Sequence, residues 1–316
     1  MPTALPLSIL MLTYNREDYL PRAIESVLTQ TFTDFEYLIV DNGSTDKSDE
    51  IIESYARRDS RIKVLHIEKS SVGRGRNIAL DNSIGEYLTF IDDDDYAEPD
   101  MLEFLYGLAM GHQADISVCG SMKEVSGAII PNCVFEDCLV LDRYQAVVEL
   151  LRRKKLNAAT ATKLFRRSLF KTVRFTEASR VEDISTTYKL FAEAGKVVAC
   201  GRPKYCFCRH EQNLTAFTDC DKLLNPRQLE EYFAAFRERT EYLSVKLPEL
   251  ADYAQYSEWS YMISMCNKII SNNLGNCRKQ LNFARDTLRN NYAAFRNSPF
   301  IETFEKAYLD KYIPHP

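Results

Sequence analysis

The chain has 316 residues, 45% hydrophobic and 27% charged, and its 45 acidic against 40 basic side chains leave a net charge of −5. This is the composition of a soluble globular protein, large enough for one big domain with an appendage or for two domains, and it offers nucleic acid no general attraction. No run approaches the roughly 20 apolar residues that cross a bilayer, and the nine cysteines include no Cys-x-x-Cys pair, so a membrane span, a zinc site and a disulfide framework are disfavoured.

Reduced cysteines in a cytoplasmic protein are the expectation. Leu7 to Thr13 reads as a first strand; the apolar stretch Leu5 to Leu12 has no basic lead-in and is not read as a signal peptide. Tyr14-Asn15-Arg16 follows as a polar loop. Tyr19, Leu20, Ala23, Ile24, Val27 and Leu28 then recur at helical spacing. Phe35 to Val40 is a second strand, ending in Asp41-Asn42-Gly43-Ser44-Thr45-Asp46. Asn-Gly marks a turn, and Ser44 or Thr45 is placed to cap a helix from about Asp46 to Arg57. Ile62 to Ile67 is a third strand, and Gly73-Arg74-Gly75-Arg76-Asn77 leads into a short helix through Leu80.

Leu88, Phe90 and Ile91 form a fourth strand that stops in four acids, Asp92 to Asp95. The order β-α-β-α-β-α-β argues for a mostly parallel sheet flanked by helices, and such sheets bind ligands at the carboxyl ends of their strands. Four adjacent carboxylates at that edge repel one another, and a hard divalent cation, Mg²⁺ or Mn²⁺, is the natural counter-charge; an acidic surface turn is the plain alternative.

Pro99 opens a helix through about Met110, and Ile116 to Cys119 is a strand. Lys123 to Leu141 is strand-rich and irregular, and Asp142 caps a helix through Arg153. Thr162 to Phe165 is a short strand, Val181-Glu182-Asp183 leads a helix ending near Gly195, and Val197 to Cys200 and Tyr205 to Cys208 are two strands. From Pro226 the chain is helical, with breaks at Pro248, Gly275 and Pro299, and the change of character falls at about Asp219.

Asp-Asn-Gly-Ser-Thr-Asp after the second strand, Gly-x-Gly-x-x-Asn after the third and Phe-Ile-Asp-x-Asp-Asp after the fourth form a series. Lys163-Leu164-Phe165, Val181-Glu182-Asp183 and Tyr205 to Thr215 extend it. In this series the chain resembles the family 2 inverting glycosyltransferases of bacterial surface and capsular polysaccharides, over about residues 6 to 218. The resemblance implies a GT-A fold: an α/β sheet with a Rossmann-like nucleotide-sugar half (1–97), an acceptor half (98–218), and a C-terminal helical extension (219–316).

The resemblance also implies roles. The donor is a nucleotide-diphosphate sugar, most simply a UDP-sugar, and the cofactor is Mn²⁺ or Mg²⁺. Asp94 is the implied direct metal ligand. Asp92 lies near the ribose and reaches the metal through water, and Asp95 faces donor sugar or acceptor; Asp93 has no assigned role. Thr13, Tyr14, Asn15 and Asp41 offer a base pocket, with Asp41 otherwise a turn former. Arg76 and Asn77 serve the nucleotide, Arg76 being otherwise a solvated helix arginine. Ile78 stands where a dinucleotide fingerprint needs its third glycine, so Gly73 and Gly75 do not make a dehydrogenase.

Asp183 is the implied general base and Glu182 its support; by spacing alone both are first-turn acids that complement a helix dipole. Arg209 and His210 are candidates to close over the diphosphate, with His210 a further candidate metal ligand, on a loop to Phe217 that serves as a lid. In the tail, Tyr232, Phe233, Phe236, Tyr242, Leu243, Tyr253, Tyr256, Trp259, Tyr261 and Met262 read as a packing stripe against the transferase domain. A homodimer surface, an acceptor platform or a peripheral membrane contact are the alternatives, with Arg278, Lys279, Arg285 and Arg289 as the basic stretch. The implied partners are the donor and a saccharide or lipid-linked saccharide acceptor. Two rivals remain: a non-catalytic nucleotide- or glycan-binding relative, and a sugar nucleotidyltransferase, which lacks here its glycine-rich loop after the first strand.

Overall fold

Leu7–Thr13 (β1) and Phe35–Asp41 (β2) are nearly or wholly buried along their length, the mark of central parallel strands covered on both faces. The computed structural model describes residues 5–178, 180–210, 213 and 220–313. With Ile62–His66 (β3) and Tyr87–Phe90 (β4) these strands make a parallel half-sheet in the order β3-β2-β1-β4. The crossovers are Leu20–Leu28 (α1), Ser48–Ala56 (α2) and Val72–Asn82 (α3). All four strands therefore end at one edge of the sheet, with Asp92 to Asp95 just beyond β4.

The second half is mixed. Tyr96–Ala97 (β5) and Met101–His112 (α4) are followed by Ile116–Val125 (β6), Ala128–Cys133 (β7) and Cys138–Asp142 (β8). Then come Arg143–Arg152 (α5), Lys163–Arg166 (β9), Glu182–Glu193 (α6) and Lys196–Arg209 (β10). Strand β9 inserts antiparallel between β4 and β6, continuing the sheet as β4-β9-β6-β10-β5. The core beneath includes Tyr37, Tyr87, Leu105 and Tyr205.

Asp142 caps α5 as expected, in a reciprocal pair with Gln145. The cap expected on α2 is different. Lys47 occupies the cap position without a side-chain bond, and Asp46 Oδ1 accepts the Ser48 N–H at 3.0 Å, because Ser44 and Thr45 are turned toward the loop after β1. The two strands expected at 197–200 and 205–208 are one strand. Its register with β6 slips on either side of Pro203, which has no N–H to give the ladder.

The expectation of reduced cysteines throughout is corrected at one pair. Cys138 of β8 and Cys200 of β10 face each other in antiparallel register with Cα atoms 4.4 Å apart, and a disulfide joins them. Sixty-two residues separate them, so only the register makes the pairing visible.

The chain divides into two compact units, Met1–Arg209 and His210–Pro316. In the second, Pro226–Lys246 (α7) starts with an Asn225–Gln228 capping box, followed by Ala251–Ser271 (α8), Arg278–Asn290 (α9), Tyr292–Arg296 (α10) and Thr303–Tyr312 (α11). Much of its aromatic stripe packs on itself: Tyr261 stacks on Phe236 at 4.2 Å and on Tyr232 at 5.7 Å, with the Arg239 guanidinium over Phe236. In the basic stretch Arg285 donates to the Tyr312 carbonyl and Arg289 pairs with Asp286. No described helix is long and apolar enough to cross a membrane.

Alkylation under denaturing conditions without reductant is expected to label seven cysteines, and with reductant all nine. Closing a loop of this length is worth roughly 4 kcal/mol on a chain-entropy basis, so the reduced protein is expected to melt several degrees lower. Labelling of all nine thiols before reduction would refute the bond.

Candidate functional site

The loops after β1 and β2 are laced together before any ligand is considered. Asn15, at φ 52°, donates its N–H to Ser44 Oγ at 3.1 Å and accepts the Thr45 N–H at 2.8 Å. Arg16 N–H reaches Ser48 Oγ at 2.9 Å and Glu17 N–H reaches Asp46 at 3.1 Å. Buried Asp41 accepts the Ser44 N–H at 3.1 Å and faces His66 Nδ1 at 3.2 Å; the other nitrogen of that ring meets Glu53 at 3.0 Å. Glu53, against the effect of burial and together with Asp41, raises the His66 pKa. Gly43, at φ 77°, lies where a Cβ would come within 2.9 Å of the Lys69 backbone nitrogen. Lys69 in turn holds its ammonium 2.7 Å from the Tyr14 ring centre.

The acid run is divided between two arginines. Asp93 and Asp94 face Arg16 Nε at 3.6 and 3.7 Å, and Asp93 accepts the Tyr14 N–H at 3.3 Å. Asp92 accepts from Arg76 at 3.1 Å. Burial and the neighbouring Asp94 carboxylate push Asp93 up to about 7, against Arg16. Burial, Asp183 and Asp94 push Asp92 up to about 6, against Arg76.

Arg76 is the hub. From the first turns of α3 its buried guanidinium bonds Asp183 and, at 3.2 Å, Thr160 Oγ1, and it lies 3.4 Å from Glu182. It is packed between the rings of Phe90 and Phe175. Burial alone would lower its pKa; Asp183, Glu182 and Asp92 instead hold it above its ordinary value. Glu182, buried beside it, is pushed up to about 7 by burial and by Asp183, against the pull of Arg76. Helix α3 comes close enough because Gly73 has no side chain, since a Cβ there would sit 1.9 Å from the Thr176 carbonyl.

Two other expected residues, Asp95 and Asn77, bond the scaffold. Asp95 is buried and accepts from the Tyr205 hydroxyl at 2.9 Å and the Cys208 N–H at 2.7 Å, and burial with Asp92 and Asp94 raises its pKa well above the ordinary range. Asn77 spends both ends of its amide on the Phe175 backbone at 3.0 Å. Thr13 is buried at the end of β1. Arg209 ends β10 with its guanidinium over the Phe207 ring, and His210 opens the second unit with its N–H on Asn213 Oδ1 at 2.7 Å. Most of the expected lid, residues 211, 212 and 214–217, lies outside the described residues.

Sequence reasoning missed Arg16 as the partner of the acid run, His66 beside Asp41, and Thr160 and Lys163 around Asp183. His66 had a usable signal, because parallel register sets it opposite Asp41. Among the described residues no three His, Cys, Asp or Glu side chains are grouped to hold a metal by themselves. The acids nonetheless suit Mn²⁺ or Mg²⁺, which needs only one or two carboxylates when phosphate oxygens complete its shell. Five carboxylates, Asp92, Asp93, Asp94, Glu182 and Asp183, gather around two guanidiniums, and burial together with this surplus raises Asp92 and Asp93.

Residues 8–174 match the model of glycosyl transferase family 2. Among characterised sequences, the chain is 29% identical over 219 residues to glycosyltransferase GlyG of Streptococcus pneumoniae, covering 66% of this chain and 72% of that one. It is 30% identical over 211 residues to glycosyltransferase GlyA of the same organism, covering 64% of this chain but 30% of GlyA. In fold it is similar to Staphylococcus aureus TarS 1–349 in complex with UDP-GlcNAc, at a TM-score of 0.62 and 20% identity over 91% of each chain.

Two outcomes follow from the charges. Removing Arg76 strands three carboxylates, so Arg76→Met is expected to cost about 3–5 kcal/mol in chemical denaturation, and Arg76→Lys, which cannot fork, to recover little of it. Carboxylates whose folded pKa is raised stabilise the protein below about pH 4 and lose that contribution as pH climbs to about 7. In chelator, the melting temperature of Asp93→Asn is therefore expected to gain about 3 °C on wild type between pH 5 and pH 8. A constant difference would show that Asp93 is ionised throughout.

Proposed function

The chain belongs to glycosyl transferase family 2, and we propose that it transfers a hexose from a UDP-sugar to a hydroxyl of a saccharide, free or lipid-linked, with inversion at the sugar carbon. The product would enter a surface polysaccharide. The observation that carries this reading is the Arg76 bridge, which joins Asp92 of the acid run to Asp183 at the head of α6. A donor's diphosphate and an acceptor's hydroxyl need those two groups within one substrate's length.

The laced loops after β1 and β2 suit the base. Asp41 keeps free lone pairs beside its bonds to Ser44 and His66, and one of them accepts the pyrimidine ring N–H. Thr13, Tyr14 and Asn15 line the same edge, with the Tyr14 ring as a stacking surface. Asp92 serves the ribose. Asp94, with Asp92, would hold Mn²⁺ or Mg²⁺, which when bound supplies a Lewis acid for charge developing on the leaving diphosphate.

Asp183 takes the proton of the acceptor hydroxyl as its oxygen bonds the anomeric carbon and the bond to the diphosphate breaks. Arg76 keeps Asp183 aimed. Glu182, titrating near neutrality, orders the acceptor. Asp95 and Asn77 support the site from behind, and Arg209 and His210 are assigned to closure over the diphosphate.

Calorimetric titration of UDP is expected to show binding with Mn²⁺ that chelator weakens at least tenfold and that Asp94→Ala abolishes. Asp183→Asn is expected to bind UDP as wild type does while losing about 10²- to 10⁴-fold in kcat. Transfer that survives in both variants would overturn these assignments. UDP binding without transfer to any saccharide acceptor would favour a binding role instead.

A further inference from the structure

Lys163 opens β9 and is fully buried, yet it makes no ion pair among the described residues. A lysine in such a place costs several kcal/mol unless its three protons find acceptors. They do: Nζ donates to the Ala159 carbonyl at 2.5 Å, to Thr162 Oγ1 at 3.2 Å and to Asn157 Oδ1 at 3.4 Å. Burial pushes the ammonium down to about 8, with the charge of Asp183 working the other way, so it is mostly charged at neutral pH.

All of these acceptors lie in one short segment. Asn157 Oδ1 also takes the Ala159 N–H at 3.1 Å, and Thr187 of α6 holds the Ala158 carbonyl at 2.7 Å. The next residue is Thr160. Its N–H points to Asp183 Oδ2 at 3.4 Å and its hydroxyl to Asp183 Oδ1 at 3.2 Å, and the same hydroxyl oxygen accepts from Arg76. Asp183 is thus held from one side by Arg76 and from the other by a segment fastened to a buried ammonium.

We propose that Lys163 is a positioning residue for Asp183: by clamping residues 157–162 it fixes Thr160, and through Thr160 it aims the carboxylate that accepts the acceptor's proton. This rests on the assignment of Asp183 as base. Lys163 touches neither donor nor acceptor, so its loss is felt in turnover and not in donor binding.

Lys163→Met, which keeps the chain length and removes the charge, is the test, read by hydrogen exchange of the 157–162 peptide and by steady-state kinetics. Faster exchange there, kcat down about 10- to 100-fold, and donor KM and UDP binding within twofold of wild type are expected. Thr160→Val is expected to show the same loss confined to kcat, and Thr160→Ser to stay within twofold of wild type. Unchanged exchange with normal kcat in Lys163→Met overturns the proposal; if that variant does not fold, normal kcat in Thr160→Val overturns it. Should the wild type transfer no sugar, the transferase reading fails, while exchange in Lys163→Met still decides whether the clamp exists.

Discussion

A guanidinium out of water must be answered by acids, and the acids that answer Arg76, itself on α3, come from two separate stretches of the chain: Asp92 after β4, and Glu182 and Asp183 at the start of α6. None of the four charges is tolerable alone in that setting. Their ion pairing ties α3, β4 and α6 into one arrangement, and much of the local sequence serves it. Gly73 lets the helix approach the 175–177 segment, Asn77 pins that segment by its backbone, and Phe90 and Phe175 sandwich the cation.

The site has two electrostatic compartments of different character. Around Arg76 three acids face one buried cation, and the contacts are short, 3.1 Å to Asp92 and 3.4 Å to Glu182. Around Arg16 the contacts with Asp93 and Asp94 are long, 3.6–3.7 Å, and the acids outnumber the cation. The first compartment is knit by close hydrogen bonds; the second is held by longer contacts. In the proposed reading the hard cation lies against the second, and the base, which must stay oriented while substrates come and go, lies in the first.

The parallel half was legible because its signals are local: apolar runs of strand length, the second and fourth running into Asp41 and Asp92. The capping of α5 by Asp142 was legible for the same reason. What escaped was long-range. Arg76 finds Asp183 across 107 residues and Cys138 finds Cys200 across 62, and no spacing rule reaches that far. The antiparallel entry of β9 decides where Lys163 lies, and although Lys163-Leu164-Phe165 belongs to the motif series, its sequence does not tell what Lys163 touches. Asp95 and Asn77 also bond across long stretches that no spacing rule spans, to β10 and to the segment at Phe175.

The anchoring of Asp95 on Cys208 makes a mechanical linkage of the last strand. The Tyr205 hydroxyl takes the Asp92 N–H and gives its proton to Asp95, and the Cys208 amide holds the same carboxylate one residue before the first unit ends. Strand β10 therefore fastens the acid loop from two points, the Tyr205 hydroxyl rising from the core and the Cys208 amide near the end of the first unit, so the backbone of Asp92 and the carboxylate of Asp95 share one support.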